Sequence, residues 1–460
     1  MPTSVASRCA AIRSIALATA LAFAAPIVGP GGAAGAQSLR EKISGLFTFG
    51  SGEEPLFLAG SGDPNNPAAL QAHGLHFIPS SNAENASLIS LVTDALGSSI
   101  ASIPIGSTGG GETFHFVGGV PVRTSTSAGP IFAERAQTLG QGRVLVGASR
   151  TGFRFATLRG VDMDNIQLTF THENSDFPNC STIFGGDCKK YGIPAFENDV
   201  IDFRLSMNLD VHVTSLYVTY GATDRLDIGV VVPIVQADFR GQSFAQIQPF
   251  GGTTVAHYFS GTPTNPVLND TRESIGSATG LGDVAVRAKL NVREAPSASV
   301  AVLVDGRFPT GGEDDLLGSG KFSGRALAIV NSRLGDFSPH LNVGYLYHAG
   351  NQQNDAVLGT VGFDQRMSDG VTLAADLVSE LQVGDSKLVL PGLVTWEAPF
   401  RRTLNPTNIP NVRDDVVNGS FGVKVAPAHN TLIVLNTLFP LNRGGMRPNL
   451  VYTAGIERTF

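Results

Sequence analysis

The fold class follows from residues 201–213, IDFRLSMNLDVHV, in which apolar and polar side chains alternate without a break. Side chains of a β-strand point alternately to opposite faces, so this period of two predicts a strand with one apolar face. A soluble sandwich would bury that face, whereas a transmembrane barrel would turn it toward lipid and turn the polar face toward the lumen. One strand does not distinguish the two architectures.

The same alternation recurs to the end of the chain. It is present in the segments 226–234, 282–292, 300–308, 341–347, 371–377, 417–425 and 452–460. Short turns such as 222–225 and 427–430 alternate with longer polar loops at 242–277, 310–324 and 385–414. Short turns at one end and long loops at the other are typical of outer-membrane barrels. We therefore predict an all-β fold, a transmembrane antiparallel β-barrel over residues 143–460, with about twelve strands and fourteen as the alternative.

The composition agrees with a membrane barrel. Charged residues make up 15% of the chain, against roughly 25% in soluble proteins. The formal net charge of −7 gives no positive footprint for nucleic acid. Three cysteines exclude a disulfide-dense scaffold. Beyond the N-terminus no run of 18 or more apolar residues occurs, which argues against membrane-spanning helices.

Residues 1–36 have the pattern of a secretory signal peptide. Arg8 and Arg13 form a short basic region, residues 14–25 are apolar, and the small residues at 34–36 suit signal-peptidase cleavage before Gln37. An ordinary first helix is the alternative reading of this stretch.

Two cysteines remain after such a cleavage. Cys180 and Cys188 flank a short glycine-containing loop. In an oxidising compartment this arrangement predicts a local disulfide, with a metal-binding pair as the alternative.

The exported segment 37–142 precedes the predicted barrel. Ser81 and Glu84 fit a capping box, and apolar residues between positions 88 and 103 recur at helical spacing, which predicts one amphipathic helix. A small hairpin is expected around residues 114–122. The segment could plug the lumen or pack below the barrel in the periplasm, and the sequence leaves both arrangements open.

Charged residues on the polar faces of the predicted strands are the candidate lumen residues. A mixed-charge lumen can line a permeation path or brace a plug, and it can also be a structural network that pairs buried charges. The candidates are Asp202, Arg204, Asp210, His212, Asp283, Arg287, Lys289, Asp305, Arg307, Asp376 and Glu380.

Three motifs resemble those of a known family. They are YGATDRLD at 220–227, GLGDV at 280–284 and RFPTGGEDDLLGSG at 307–320. Together they resemble the meta-pathway phenol-degradation outer-membrane proteins. That family is similar in architecture to the FadL-type transporters, which carry hydrophobic substrates through a plugged barrel. The resemblance implies a location in the bacterial cell outer membrane. It also implies that the barrel assembly machinery recognises the C-terminal Phe460.

The expected function is an outer-membrane channel for passive uptake of small hydrophobic or aromatic compounds. Outer-membrane lipid and small hydrophobic solutes are the expected partners, without nucleic acid. We expect no catalytic residues, no cofactor and no bound metal, so the chain is not expected to be an enzyme. A barrel enzyme acting on lipids, and a structural or adhesive barrel whose loops bind outside partners, are the alternatives.

Overall fold

The structure is a computed structural model. It describes residues 37–49, 114–117, 120–123, 133–171, 199–250, 255, 257–262, 264–295, 297–350, 353–388, 390–396, 400–428 and 430–460. The predicted signal peptide, the amphipathic helix at 88–103 and both Cys180 and Cys188 lie outside the described residues. None of the described helices is long and apolar enough to cross a membrane.

The described elements are one short helix, one 3-10 turn and 21 strands. The helix α1 spans Leu39–Ser44 and the 3-10 turn spans Gly45–Phe47. The strands are β1 Phe114–Val117, β2 Val120–Arg123, β3 Val144–Leu158, β4 Val161–Asp162, β5 Ile166–Thr171, β6 Val200–Gly221, β7 Leu226–Gln248, β8 Ser260–Thr262, β9 Asn265–Val267, β10 Asn269–Leu281, β11 Val284–Glu294, β12 Ala298–Phe308, β13 Ser323–Ser332, β14 Phe337–His348, β15 Ala356–Ser368, β16 Val371–Gln382, β17 Val394–Trp396, β18 Arg402–Leu404, β19 Val416–Ala428, β20 Thr431–Pro440 and β21 Met446–Thr459. The predicted hairpin around 114–122 is present, because β1 pairs with β2.

Within the described part of the chain, twelve antiparallel strands close into a barrel. Their order around the ring is β3, β6, β7, β11, β12, β13, β14, β15, β16, β19, β20 and β21. The ring closes where β21 pairs with β3, and the backbones of Phe460 and Val144 exchange hydrogen bonds of 2.7 and 3.2 Å there. The predicted barrel and its strand number are confirmed.

The two ends of the barrel differ in the length of their connections. At one end, which we call the turn end, three or fewer residues connect β11 to β12 and β15 to β16, and four connect β6 to β7. The C-terminus lies at this end, paired with the start of β3. We call the opposite end the loop end, because it carries the long connections that follow β12 and β16.

One wall of the barrel is much taller than the others. The prediction of a loop over 242–277 is wrong at both ends of that interval, since β7 continues to Gln248 and β10 begins at Asn269. Strands β6 and β7 pair along their whole length of 22 and 23 residues. Near the loop end β5 and β10 flank this pair, so a four-stranded wall extends beyond the rest of the ring.

The polarity of this tall wall inverts halfway along it. Near the turn end the outward side chains of β6 are apolar and exposed, as at Leu216 and Tyr220 (41% and 48% exposed). Near the loop end the apolar residues face inward instead, and Ile201 and Phe203 are at most 1% exposed. The apolar face of residues 201–213 therefore points into the barrel, contrary to the orientation expected for a lipid-facing strand.

Exposed apolar side chains surround the turn-end half of the barrel as a belt. They come from successive strands and include Val230, Ile234, Leu290, Val304, Tyr347, Val361, Leu377, Leu435 and Ile456. On β14 the belt runs from Phe337 to Tyr347, which is the length expected of a strand that crosses an outer membrane. The loop-end part of β6 and β7 stands above this belt. Water meets its outer face, so its apolar residues turn inward.

The barrel lumen as the candidate functional site

A segment before β3 lies inside the lumen near the turn end. We call residues 133–139 the lumen strap. Their side chains are buried except for Thr138, and Ala136 has no exposed surface. The amide of Ala136 donates to Asn331 Oδ1 at 2.8 Å, and Asn291 Nδ2 donates to the carbonyl of Ala136 at 2.8 Å. Side chains of the barrel thus replace the partners that the strap's backbone would find in a sheet.

The last residues of the strap are bonded to the same wall. The amide of Leu139 donates to both carboxylate oxygens of Asp227, at 3.1 and 3.2 Å. Gln137 Nε2 donates to Ser299 Oγ at 3.2 Å. These partners lie on β7 and β12, beside the partners of Ala136 on β11 and β13. One side of the barrel therefore holds the strap.

A buried ion pair fixes the strap to β11. Arg287 Nη1 lies 3.1 Å from Glu134 Oε1, and both side chains are 4% exposed. Asp305 lies 4.0 Å from the same guanidinium and also accepts a hydrogen bond from Arg325 Nε at 2.7 Å. Two carboxylates and two guanidiniums therefore alternate in this network. Such pairing offsets the cost of removing each charge from water.

Lys289 forms the next ion pair along β11. Its Nζ lies 3.6 Å from Asp227, and both side chains are at most 7% exposed. Asp227 therefore accepts the strap amide of Leu139 while it faces a cation. Its carboxylate links the strap to the charged lining.

A second polar network lies on the opposite wall. His340 Nε2 is 2.7 Å from Asp376 Oδ1, and its Nδ1 is 3.7 Å from Asp364. The three side chains are at most 2% exposed. Tyr217 donates its hydroxyl to Glu457 at 3.4 Å in the same half of the lumen.

Two cations balance the carboxylates of this second network. Lys424 is 2% exposed and Arg135, which belongs to the strap, is 5% exposed. Arg135 lies within Coulombic range of Asp364 and Glu457, and Lys424 lies within range of Glu457. The strap therefore carries one charge toward each wall, Glu134 toward β11 and Arg135 toward β15 and β21.

Seven of the predicted lumen residues lie on the inner side of the barrel, six at inward positions of their strands and Asp283 in the gap between β10 and β11. They are Asp283, Arg287, Lys289, Asp305, Arg307, Asp376 and Glu380. Arg287, Lys289 and Asp305 meet the strap networks directly, and Asp376 bonds His340.

Four of the predicted lumen residues lie on the outer face. Asp202, Arg204, Asp210 and His212 point outward from the loop-end part of β6, and Asp210 accepts two hydrogen bonds from the exposed Arg154, at 2.7 and 2.8 Å. The structure places these four on the outer face and not in the lumen, because the apolar residues that alternate with them are the ones that face inward.

The lumen networks also contain charged residues and a histidine that were not among the predicted candidates: Glu134, Arg135, Asp227, Arg325, His340, Asp364, Lys424 and Glu457. His340 and Lys424 occupy the polar positions of alternating strands, so the rule that selected Arg287 could have selected them. Glu134 and Arg135 lie in a segment without periodicity, and no sequence pattern places them inside the barrel.

A different segment packs against the inner face of the tall wall near the loop end. We call α1, the 3-10 turn after it and Phe49 the apolar cap. Ser38 and Glu41 form a capping box that starts α1. Leu39 and Ile43 are buried on one face of the helix, and the helix packs against β10.

Aromatic stacking holds the apolar cap against the tall wall. The rings of Phe47 and Phe203 stack with centroids 4.7 Å apart, and Phe49 lies 5.5 Å from Phe259. These rings belong to one apolar cluster that extends over the inner faces of β3, β5, β6 and β7. Burying each such ring contributes about 1.5–3 kcal/mol, so the cluster is a core for the part of the barrel above the belt.

The loop 309–321 closes an interruption in the wall. Strands β10 and β11 both pair with β7 but are separated at Gly282 and Asp283. Asp283 accepts hydrogen bonds from Gly311 N at 3.0 Å, Ser319 N at 2.8 Å and Ser319 Oγ at 2.7 Å. The motif at 280–284 and the motif at 307–320 are thus brought together at one point.

The same loop also contacts the apolar cap. Leu316 and Leu317 enter the apolar cluster, and Leu316 is fully buried at a positive φ of 57°. The carbonyl of Asp314 accepts a hydrogen bond from the amide of Arg40 at 2.8 Å, and Arg40 lies 3.4 Å from Glu313. The acidic residues 313–315 of the motif therefore contact the first turn of α1.

Solved structures of similar architecture are outer-membrane channels. An outer membrane channel from Pseudomonas putida F1 has 14% sequence identity and a TM-score of 0.39, with 71% of this chain and 98% of that chain covered. The Ralstonia pickettii toluene transporter TbuX has 8% identity and a TM-score of 0.31, with 70% and 90% covered. The Pseudomonas putida toluene transporter TodX has 8% identity and a TM-score of 0.29, with 69% and 88% covered.

No curated protein sequence matches the chain. A family profile does match, over residues 196–436, which is more than half of the chain and includes all three motifs. The chain belongs to the family described as the putative MetA-pathway of phenol degradation.

Proposed function

We propose that the protein is an outer-membrane channel for the passive uptake of small hydrophobic compounds, aromatic ones included. The observation that carries the proposal is the apolar inner face of the barrel above the belt, where the tall wall, the apolar cap and loop 309–321 form one cluster. Apolar solutes partition into such surroundings from water. No covalent step is part of the proposal, so the protein acts as a channel and not as an enzyme.

Passage would take place in two stages. A solute first leaves water at the loop end and enters the apolar cluster around Phe47 and Phe203. It then meets the lumen strap, whose buried ion pairs and hydrogen bonds occupy the turn-end half. Displacement of the strap is therefore the gating step of the proposal. Each bond to the strap contributes about 0.5–1.5 kcal/mol, and more where a charge takes part.

The proposed location is the bacterial outer membrane, with the turn end in the periplasm. The exposed apolar belt fits lipid as its partner. Phe460 ends the chain at the turn end and is 64% exposed, which suits recognition by the barrel assembly machinery. Export by the signal peptide at 1–36 and a disulfide between Cys180 and Cys188 belong to the same proposal.

Uptake of a hydrophobic dye tests the proposal. The full chain is expressed in a Gram-negative host, and the entry rates of N-phenyl-1-naphthylamine and of the hydrophilic nitrocefin are compared with those of the empty host. We expect the wild-type protein to accelerate the dye several-fold and to leave nitrocefin unchanged. Equal dye rates with and without the folded barrel would refute a channel for hydrophobic solutes.

Opening the strap provides the second arm of the experiment. The variant Glu134→Ala removes the ion pair to Arg287, and we expect it to raise the entry rates of both compounds. Arg366→Ala is the matched control, because Arg366 pairs with Asp336 and Asp369 at the turn end. A strap variant that behaves as the control would refute the gating role.

A further inference from the structure

The apolar belt is interrupted on its outer face between β21 and β6. Arg150 points outward from β3 and is exposed. It lies in a hydrogen-bonded row of residues from six strands: Leu435, Ala454, Arg150, Thr214, Ile234 and Leu281. Arg150 is the one charged member of that row.

On the side of β21, Arg150 lies below the upper edge of the belt. On the neighbouring β21, Tyr452 and Leu450 are two and four residues nearer the loop end than Ala454, which pairs with Arg150. Both are outward and about half exposed, at 49% and 51%. At ~3.3 Å per residue, Leu450 is about 13 Å farther along its strand. The arginine is therefore flanked by lipid-facing residues that reach higher than it does.

The guanidinium of Arg150 has a hydroxyl partner and no carboxylate partner. Its Nη1 donates to Thr214 Oγ1 at 3.3 Å. In the described ranges no carboxylate lies within ion-pair distance of it. The two nearby outward carboxylates are engaged elsewhere: Asp210 is bonded twice by Arg154, and Asp238 accepts from Gln236 at 3.2 Å.

Two further polar side chains converge beside Arg150. Tyr452 and His212 meet over Gly152, and their ring centroids are 6.5 Å apart. A Cβ atom on Gly152 would collide with the hydroxyl of Tyr452 and come within 2.8 Å of His212 Nδ1. The glycine therefore makes room for a hydroxyl and an imidazole on the same face as Arg150, two residues along β3.

We propose that Arg150, Thr214, His212 and Tyr452, which we call the belt notch, bind the phosphate of a lipid headgroup in the outer leaflet. An arginine fork matches phosphate oxygens with charge-assisted hydrogen bonds. The notch lies at the level where the outer face of β6 changes from apolar to polar, so a headgroup held there satisfies a cation that the acyl chains below cannot solvate. The inference rests on the membrane placement of the proposed function and does not depend on solute transport.

Native mass spectrometry of the full-length protein in dodecyl maltoside tests the notch. The probes are diphosphoryl lipid A, chemically dephosphorylated lipid A and sodium phosphate. We expect the wild-type barrel to retain diphosphoryl lipid A and not the dephosphorylated form. Arg150→Ala should lower the bound fraction about ten-fold, and Arg150→Lys should give an intermediate loss, because lysine keeps the charge without the fork.

The matched control is Arg240→Ala, since Arg240 is an exposed outward arginine on β7 above the belt. We expect it to bind as the wild type does. Equal binding by Arg150→Ala and wild type, or full displacement of the lipid by sodium phosphate, would overturn the proposal. Heat-modifiable migration in gels verifies that each variant is folded. Dye uptake by Arg150→Ala should equal that of the wild type, so failure of the notch and failure of the channel are told apart.

Discussion

At the scale of single residues, Arg287 is the most consequential side chain of the lumen. It lies between the strap carboxylate of Glu134 and the barrel carboxylate of Asp305. Breaking a buried pair from one side leaves the other charge without compensation. The two partners are not equivalent. Removal of Arg287 takes away the cation that Glu134 pairs with, whereas removal of Glu134 leaves Arg287 beside the carboxylate of Asp305.

We predict that Arg287→Ala lowers the free energy of unfolding by about 3–5 kcal/mol. Glu134→Gln, which keeps the volume and a hydrogen-bonding oxygen, should cost about 1 kcal/mol. Urea unfolding of the refolded barrel in lipid measures both. Arg366→Ala is the control, since its partner Asp336 is half exposed at the turn end, and such surface pairs contribute ~0–1 kcal/mol. Equal losses for Arg287→Ala and Arg366→Ala would contradict the assignment.

At the scale of elements, the apolar cap docks where β10 has no side chain. A Cβ atom on Gly276 would lie 2.5 Å from Lys42 Cδ and 2.7 Å from Leu39 Cδ2. Lys42 also reaches over the strand to donate to the carbonyl of Ile275 at 2.9 Å. The close approach of helix and strand therefore depends on this glycine.

We predict that Gly276→Val displaces α1 without unfolding the barrel, at a cost of about 1–3 kcal/mol from overpacking. Hydrogen exchange of the amides in residues 38–49 should accelerate while exchange in β14 stays unchanged. Gly392→Val is the control, because nothing lies within 4 Å of a Cβ atom there. Unchanged exchange in residues 38–49 of Gly276→Val would show that the helix does not need this approach.

Loop 309–321 depends on one carboxylate. We predict that Asp283→Ala, which removes three hydrogen bonds to Gly311 and Ser319, accelerates tryptic cleavage after Lys321 about ten-fold. Asp314→Ala in the same loop removes only an exposed contact to Arg40 and should leave the cleavage rate unchanged. Similar rates for the two variants would mean that Asp283 does not hold the loop.

The sequence predicts the secondary-structure elements well, but it predicts their surroundings in the fold less well. Period-two alternation located the strands and the short turns, because each strand responds to the difference between its two faces. It could not show that residues 201–213 stand above the membrane, since an apolar inner face and an apolar outer face give the same pattern. The strap was not predictable from Glu134 and Arg135, because its position depends on barrel partners distant in sequence.

At the scale of the whole molecule, the outer face of one wall is suited to lipid in its turn-end half and to water in its loop-end half. Below the level of Thr214 the outer face of β6 is apolar, and above it the outer face is polar. The twelve strands form one ring, but only β6 and β7, flanked by β5 and β10, carry it far beyond the lipid.

We predict that maleimide labelling changes where the outer face of β6 changes from polar to apolar. In a chain with Cys180 and Cys188 replaced by serine, Asn208→Cys should react fully with a membrane-impermeant maleimide in proteoliposomes. Leu216→Cys, eight residues nearer the turn end on the same face, should react at least ten times more slowly. Both positions point outward, so each serves as the other's control. Equal labelling would place the lipid boundary elsewhere.

The position of the strap has a consequence for the order of biogenesis. Residues 133–139 lead directly into β3, the strand that meets β21 when the circle is completed. The bonds of these residues are to β7, β11, β12 and β13, in the middle of the chain. The leading stretch of the nascent chain therefore finds its partners only after the central hairpins have been synthesised and paired. Until then its buried charges, Glu134 and Arg135, lack the strands that compensate them.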